Sequence, residues 1–172
     1  TYCASLTAVK HLINRETYGI LIHTPFGFPN TYWYAQDLCK QHDLKFLEDA
    51  APGLGSSYRG RPVGSFADVT FFSFHATKLL TTGEGGAVAT NDEELAHELR
   101  ILRNHGKSDK KFVTFGFPYR MTDIQAAIGL AQLGTLDKRV TQRRKLAQHY
   151  RKLLSPEIHT LQVEHGPRSV SY

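Results

Sequence analysis

Over the first two thirds of the chain, short apolar runs alternate with segments whose apolar residues recur at helical spacing. Residues 20–23, Ile-Leu-Ile-His, predict a buried strand, with residues 25–29 as the loop leaving it. Residues 32–42 predict a helix, and residues 45–48, Lys-Phe-Leu-Glu, the next strand. Together they make one β-α-β crossover, for which a right-handed path is expected. Gly53, Gly55, Gly60, Pro62 and Gly64 then mark a long irregular connection. Residues 69–74 predict a third strand and residues 87–90 a fourth, with a polar, Gly-rich loop over residues 75–86 between them. The alternation predicts an α/β domain built on a mainly parallel sheet.

Helical patterns dominate the remainder. Asn91 or Asp92 suits a cap, Glu93 and Glu94 suit a first turn, and Leu95, Leu99 and Leu102 share one face of the helix that Gly106 would close. Thr122 and Gln125 have capping-box spacing and open a helix whose Ile124, Ala127, Ile128 and Ala131 are expected to face inward. A long final helix carries Val140, Ala147, Tyr150 and Leu154 as its apolar stripe.

Composition narrows the class. With 172 residues, 41% hydrophobic and 22% charged, the chain can bury one substantial core. It has no run of about 18 apolar residues, so no membrane span is expected. The first residues lack the charged and apolar regions of a signal peptide. Cys3 and Cys39 are the only cysteines and have neither metal-ligand nor disulfide-framework spacing, so a cytoplasmic setting and no metal are expected. The formal net charge of +5 is concentrated in Lys138, Arg139, Arg143, Arg144, Lys145, Arg151 and Lys152. These are expected on a solvated helix face, and no aromatic residues interleave with them as a nucleic-acid platform would require. Both ends read as internal to a longer polypeptide.

The candidate chemistry lies at strand ends. Asp49 closes the second strand, Ser73 ends the third, and Lys78 follows five residues later. Ligands of open α/β sheets bind outside the carboxyl ends of the strands, so one crevice is within reach of all three. A lysine amine, a carboxylate for a pyridine nitrogen and a hydroxyl for a phosphate suit pyridoxal phosphate. The small Ala51 would let a flat ring lie close to the backbone. Taken singly, each residue has a plainer reading: a surface lysine, a loop carboxylate, a turn-forming serine. Gly83-Glu84-Gly85-Gly86 matches neither the dinucleotide nor the Walker pattern, and His75 and His105 read as loop residues.

Glu48-Asp49-Ala50-Ala51, then Ser73-Phe74-His75-Ala76-Thr77-Lys78, then Thr81-Thr82-Gly83-Glu84-Gly85-Gly86 closely resemble the DegT/StrS sugar-nucleotide aminotransferases. Leu102-Arg103-Asn104-His105-Gly106 and the segment from Tyr119-Arg120-Met121-Thr122-Asp123 to Gly129 extend the likeness in order. By position, the resemblance implies Lys78 as the Schiff-base lysine, Asp49 as the pyridinium partner, Ala51 on the ring face and Ser73 as a phosphate ligand. It implies a three-layer α/β/α large domain of the aspartate-aminotransferase type, incomplete at its N-terminus over residues 1–155. Residues 156–172 would begin the connection to a small C-terminal domain.

The resemblance further implies a homodimeric parent protein that moves an amino group from L-glutamate to a nucleotide-linked keto sugar. Dehydratases of this group carry histidine at the lysine position, and Lys78 argues against that branch. Two positions depart from the family pattern. Pro52 stands where Gln or His commonly contacts the ring hydroxyl, and Pro118 where Asn often reaches the neighbouring subunit's phosphate. Proline supplies no side-chain donor and no N–H for either contact. The competing readings are a desulfurase or lyase on the same fold, and a non-catalytic or regulatory protein that keeps it.

Overall fold

The computed structural model describes residues 4–29, 32–155 and 157–158. Helix α1 (Leu6–Leu12) leads into strand β1 (Gly19–His23), a short 3₁₀ turn, helix α2 (Tyr32–His42) and strand β2 (Lys45–Asp49). Two small hairpin strands, β3 (Ser57–Tyr58) and β4 (Arg61–Pro62), precede β5 (Val69–Ser73) and β6 (Gly86–Ala89). Helix α3 (Glu93–Leu102), the hairpin of β7 (Lys107–Ser108) and β8 (Lys111–Phe112), and helices α4 (Asp123–Leu133) and α5 (Leu136–Leu153) follow. The principal sheet has the order β1-β2-β5-β6. The first three strands run parallel, and β6 returns antiparallel along β5.

Helix α2 forms because its buried residues Tyr32, Ala35, Leu38 and Cys39 recur at helical spacing and make one stripe. That stripe and Leu6 of α1 join Ile20, Ile22, Phe46, Val63 and Phe66 in the main core. Each large apolar side chain removed from water there contributes roughly 1.5–3 kcal/mol. Tyr32 meets the Phe66 ring at 5.2 Å and the edge of Phe46 at 6.2 Å. Cys39 is enclosed by the same cluster, and burial, with the Asp68 charge second, pushes its thiol up to about 11.

The far side of the sheet belongs to α3. One cleft is lined by Leu47, Val69 and Leu95, and another by Phe71, Val88, Ala96 and Leu99. Helices therefore flank both faces, giving an α/β/α layering. The second face is only partly covered, and this corrects the expectation for residues 20–23. Strand β1 alternates, with Ile20 and Ile22 inside and Leu21 60% exposed. Asp92 caps α3, accepting the Leu95 N–H at 3.0 Å. Leu95 and Leu99 are half-buried, while Leu102, expected on the same inner face, is exposed.

Helix α4 carries the capping box as expected: Thr122 Oγ1 accepts the Gln125 N–H, and Gln125 Oε1 accepts the Thr122 N–H. Its inner face is a different one from that expected. Ile124, Ala127, Ile128 and Ala131 are exposed, whereas Gly129 is buried and Gln125, Ala126 and Gln132 are half-buried. The reason is what lies beneath. The helix sits on the backbone of residues 81–84, whose N–H and C=O groups need polar partners. Gln132 Nε2 donates to the Thr81 carbonyl at 2.6 Å, Gln132 Oε1 accepts the Thr81 N–H at 3.2 Å, and Gln125 Nε2 donates to the Glu84 carbonyl at 3.0 Å.

Helix α5 also departs from expectation. Val140 is buried and Ala147 half-buried, but Tyr150 is exposed. Arg139, Arg143 and Arg144 are half-buried rather than solvated, while Lys138, Lys145, Arg151 and Lys152 do lie on the outer face. No helix among the described residues is long and apolar enough to cross a membrane. Apart from residues 157 and 158, the expected connection over residues 156–172 lies outside the described residues.

Candidate active site

Lys78 is carried on a tightly tied loop between β5 and β6. The Phe74 N–H donates to the Gly85 carbonyl at 2.8 Å, and the Thr82 N–H returns to the Phe74 carbonyl at 2.9 Å. Thr81 Oγ1 also donates to the Phe74 carbonyl, at 3.2 Å, and Thr82 Oγ1 donates to the Glu84 carbonyl at 2.7 Å. Gly85 is required by space, since a Cβ there would stand 2.5 Å from Thr82 Oγ1. Leu80 and Thr82 are buried and pin the loop from below, and the Lys78 N–H donates to the His75 carbonyl at 2.9 Å. The Thr81-to-Gly86 motif is thus the brace that fixes the base of Lys78. His75 Nδ1 lies 3.0 Å from Thr77 Oγ1 within the same loop.

A pocket of about 200 Å³ opens beside this loop. Ala51, Ser73 and Lys78 all line it, together with Pro52, Leu54 and Arg143 among others. Ser73 is placed by register at the end of β5 opposite Gly86. Its Oγ accepts the His75 N–H at 3.3 Å, so its own O–H remains available as a donor. Helix α5 delivers Arg143, anchored through Arg139, which donates to the Leu79 carbonyl at 3.3 Å and to Gln132 Oε1 at 2.9 Å.

Asp49 stands at the end of β2, next but one before Ala51. Asp49 aligns with Phe71 in the sheet, so Asp49 and Ser73 emerge on the same face. The Asp49 carboxylate is held at both oxygens: Oδ1 accepts the Ala51 N–H at 3.0 Å, and Oδ2 lies 3.1 Å from His23 Nδ1. A carboxylate can only accept, so His23 presents its Nδ1–H there. Both side chains are partly open to solvent. The structure therefore brings Ala51, Ser73 and Lys78 to one pocket and fixes Asp49 on the adjoining strand end.

Two residues of the neighbourhood escaped the sequence reading. His23 ends β1 in direct register with Asp49, and the parallel pairing of residues 20–23 with 46–49 carried that signal. Arg143 was assigned to a solvated face because helical periodicity alone does not distinguish a basic stripe facing water from one facing a pocket.

The sequence model of the DegT/DnrJ/EryC1/StrS aminotransferase family matches residues 1–171. GDP-perosamine synthase of Caulobacter vibrioides is 43% identical over 122 residues, covering 69% of this chain and 33% of the synthase. The structure of Helicobacter pylori PseC, an aminotransferase involved in the biosynthesis of pseudoaminic acid, superposes with a TM-score of 0.86 at 37% identity. That match covers 90% of this chain and 43% of PseC. A Streptococcus pneumoniae protein assigned as a sugar aminotransferase, in its PLP form, gives a TM-score of 0.92 at 29% identity, over 99% of this chain and 50% of its own. The chain thus spans between a third and a half of the length of these relatives.

Proposed function

The chain belongs to the DegT/DnrJ/EryC1/StrS aminotransferase family, and from that premise we propose that it carries the cofactor lysine of a pyridoxal-phosphate-dependent sugar-nucleotide aminotransferase. The observation that supports this most is the single pocket that gathers Ala51, Ser73 and Lys78 beside the held carboxylate of Asp49.

The donor set fits the cofactor. Lys78 offers an amine for its aldehyde, Ser73 an uncommitted hydroxyl and Arg143 a cation for its phosphate, and Ala51 a wall without bulk for a flat ring. Asp49, its oxygens oriented by the Ala51 N–H and by His23, is the partner for the ring nitrogen. When bound, pyridoxal phosphate supplies the electron sink for the reacting carbon. Lys78 Nζ would be the group placed to carry a proton at the reacting carbon, help that contributes ~10²–10⁴-fold. Pro52 lines the pocket without a donor, so the ring hydroxyl gains no side-chain contact from that position.

The amino donor is L-glutamate and the acceptor a nucleotide-linked keto sugar. The named activities of the relatives support a sugar-nucleotide acceptor. The protein acts in the cytoplasm as a homodimer. Cysteine usage supports the compartment, and apolar side chains exposed around α4 support the dimer. The deciding experiment offers the protein, at its length in the cell, keto sugar nucleotides with glutamate, and cysteine in parallel. An amino sugar nucleotide with stoichiometric 2-oxoglutarate is the expected result. Turnover of cysteine alone would replace this reading with a desulfurase, and turnover of neither with a non-catalytic role.

A further inference from the structure

Glu48 precedes Asp49 in β2 but faces the opposite side of the sheet, where it is fully buried. Its Oε2 accepts the Thr70 hydroxyl at 3.0 Å and the Gly64 N–H at 3.2 Å. Its Oε1 is in hydrogen-bond contact with Tyr32 Oη. From Tyr32 the contacts continue: Tyr32 Oη lies 3.0 Å from Thr24 Oγ1, and Thr24 Oγ1 lies 2.8 Å from the carbonyl of Asp49. That carbonyl also accepts the Thr24 N–H at 3.0 Å.

The path from Glu48 Oε1 through Tyr32 and Thr24 to the Asp49 carbonyl therefore has three oxygen–oxygen contacts. Tyr32 and Thr24 bring one hydroxyl proton each, and the carbonyl brings none. With an ionised Glu48, two protons must serve three contacts, leaving one pair of buried oxygens facing each other unbridged. A proton on Glu48 completes the set. Oε1–H donates to Tyr32 Oη, Tyr32 donates to Thr24 Oγ1, and Thr24 donates to the Asp49 carbonyl. Oε2 stays an acceptor for Thr70 and Gly64.

We propose that Glu48 is a neutral carboxylic acid in the folded protein and acts as a positioning residue, fixing the backbone of Asp49 through Tyr32 and Thr24. The surroundings agree. Among the described residues, Tyr32 from α2 and Asp49 on its own strand are the titratable groups that act on Glu48, while Thr70 and Gly64 bond to it without charge. No cation is among them. Burial, reinforced by the Asp49 charge, pushes the Glu48 carboxyl above its ordinary value, although the hydrogen bonds pull the other way. A neutral Glu48 leaves Asp49 as the single charge at this strand end. Gly64 is the hinge of the arrangement: its φ is +95°, and a Cβ would meet the Phe72 ring at 2.7 Å. The positioning role rests on reading Asp49 as the ring-nitrogen partner, whereas the protonation state of Glu48 does not.

The test is carboxyl NMR on the protein at its length in the cell, carrying ¹³C-carboxyl glutamate. The Glu48 signal is assigned by its loss in Glu48→Gln and Glu48→Asp. At neutral pH that signal is expected at the position of a protonated acid, and a carboxylate position overturns the proposal. Glu48→Gln reproduces the neutral acid, its amide donating to Tyr32 and its carbonyl accepting from Thr70 and Gly64. It should bind pyridoxal phosphate within about twofold of wild type, with an unchanged pH profile of the cofactor absorbance. Glu48→Asp, too short to reach Tyr32, should bind it about tenfold more weakly. A Glu48→Gln chain that neither folds nor binds contradicts the neutral acid. A protonated signal with wild-type binding by Glu48→Asp overturns the positioning role alone. If the wild-type chain takes no cofactor, the functional reading fails while the carboxyl signal still reports on Glu48.

Discussion

Glu48 and Asp49 are neighbours in one strand, yet they meet opposite environments because successive strand residues face opposite sides of the sheet. Asp49 is held in the open and Glu48 in the core. Because folding raises the Glu48 carboxyl above 4.5, its stabilising contribution is complete below that pH, where both folded and unfolded chains hold the proton. As pH rises, the unfolded chain releases its proton first, and stability falls until the folded Glu48 ionises as well. Within that window wild type should lose up to ~1.4 kcal/mol per pH unit relative to Glu48→Gln, read from urea midpoints across a pH series. A flat difference between the two proteins would contradict a raised Glu48. Cys39 offers a second check at this scale. Buried, with its thiol pushed up to about 11, it should resist iodoacetamide in the native protein at neutral pH and react once denaturant is added, as peptide mass spectrometry would report. Asp49, Ala51, Ser73 and Lys78 were legible as candidates because their chemical types and strand-end positions are visible in the sequence. The Glu48 network was not, since which face of β2 carries the core depends on where α2 docks.

Among the elements, α4 shows most clearly how the loop under Lys78 is held. Its capping box was readable from Thr122 and Gln125, because capping is local chemistry within one turn. Its orientation was not, because apolar periodicity points a helix toward an apolar neighbour, and α4 rests on loop backbone instead. Gln132 satisfies both the N–H and the C=O of Thr81, so Gln132→Ala should leave two groups short of partners and cost ~1–3 kcal/mol. The same change removes one of the two acceptors of Arg139, leaving the Leu79 carbonyl, and so loosens the anchorage of α5 beside Arg143. Differential scanning calorimetry of Gln132→Ala against Thr122→Ala, a pure cap loss of about 1 kcal/mol, separates the two effects. Only the former should also accelerate amide exchange over residues 79–84. Equal exchange there in both variants would show that the loop is braced by its own hydrogen bonds alone. The β1-α2-β2 unit was legible for the complementary reason: its strands and helix are patterned against each other within thirty-one residues of sequence, Gly19 to Asp49.

At the scale of the whole molecule, the pattern of exposure matters most. On α4, Ile124 is 76% and Leu130 70% exposed, and Ile128 and Leu133 are exposed as well; in the preceding segment Phe117 meets Phe115 edge to face and stacks on Tyr119. The proposed dimer would use this exposed apolar surface. If that surface joins two copies, Ile128→Asp at the protein's cellular length should weaken dimerisation at least about tenfold in sedimentation equilibrium, while a change at outward-facing Lys145 should not. Undiminished dimerisation by Ile128→Asp would place the contact elsewhere. The α/β/α layering was readable from the order of elements, whereas the half-open second face of the sheet was not, because Leu21 and Phe71 have the composition of buried strand residues. The central claim remains chemical and concerns Lys78. The most direct test mixes the protein with pyridoxal phosphate, reduces with borohydride and maps the modified lysine by mass spectrometry. One phosphopyridoxyl group per chain on Lys78, with none in Lys78→Ala, is the predicted result; a group on another lysine, or an undiminished yield in the variant, would contradict it.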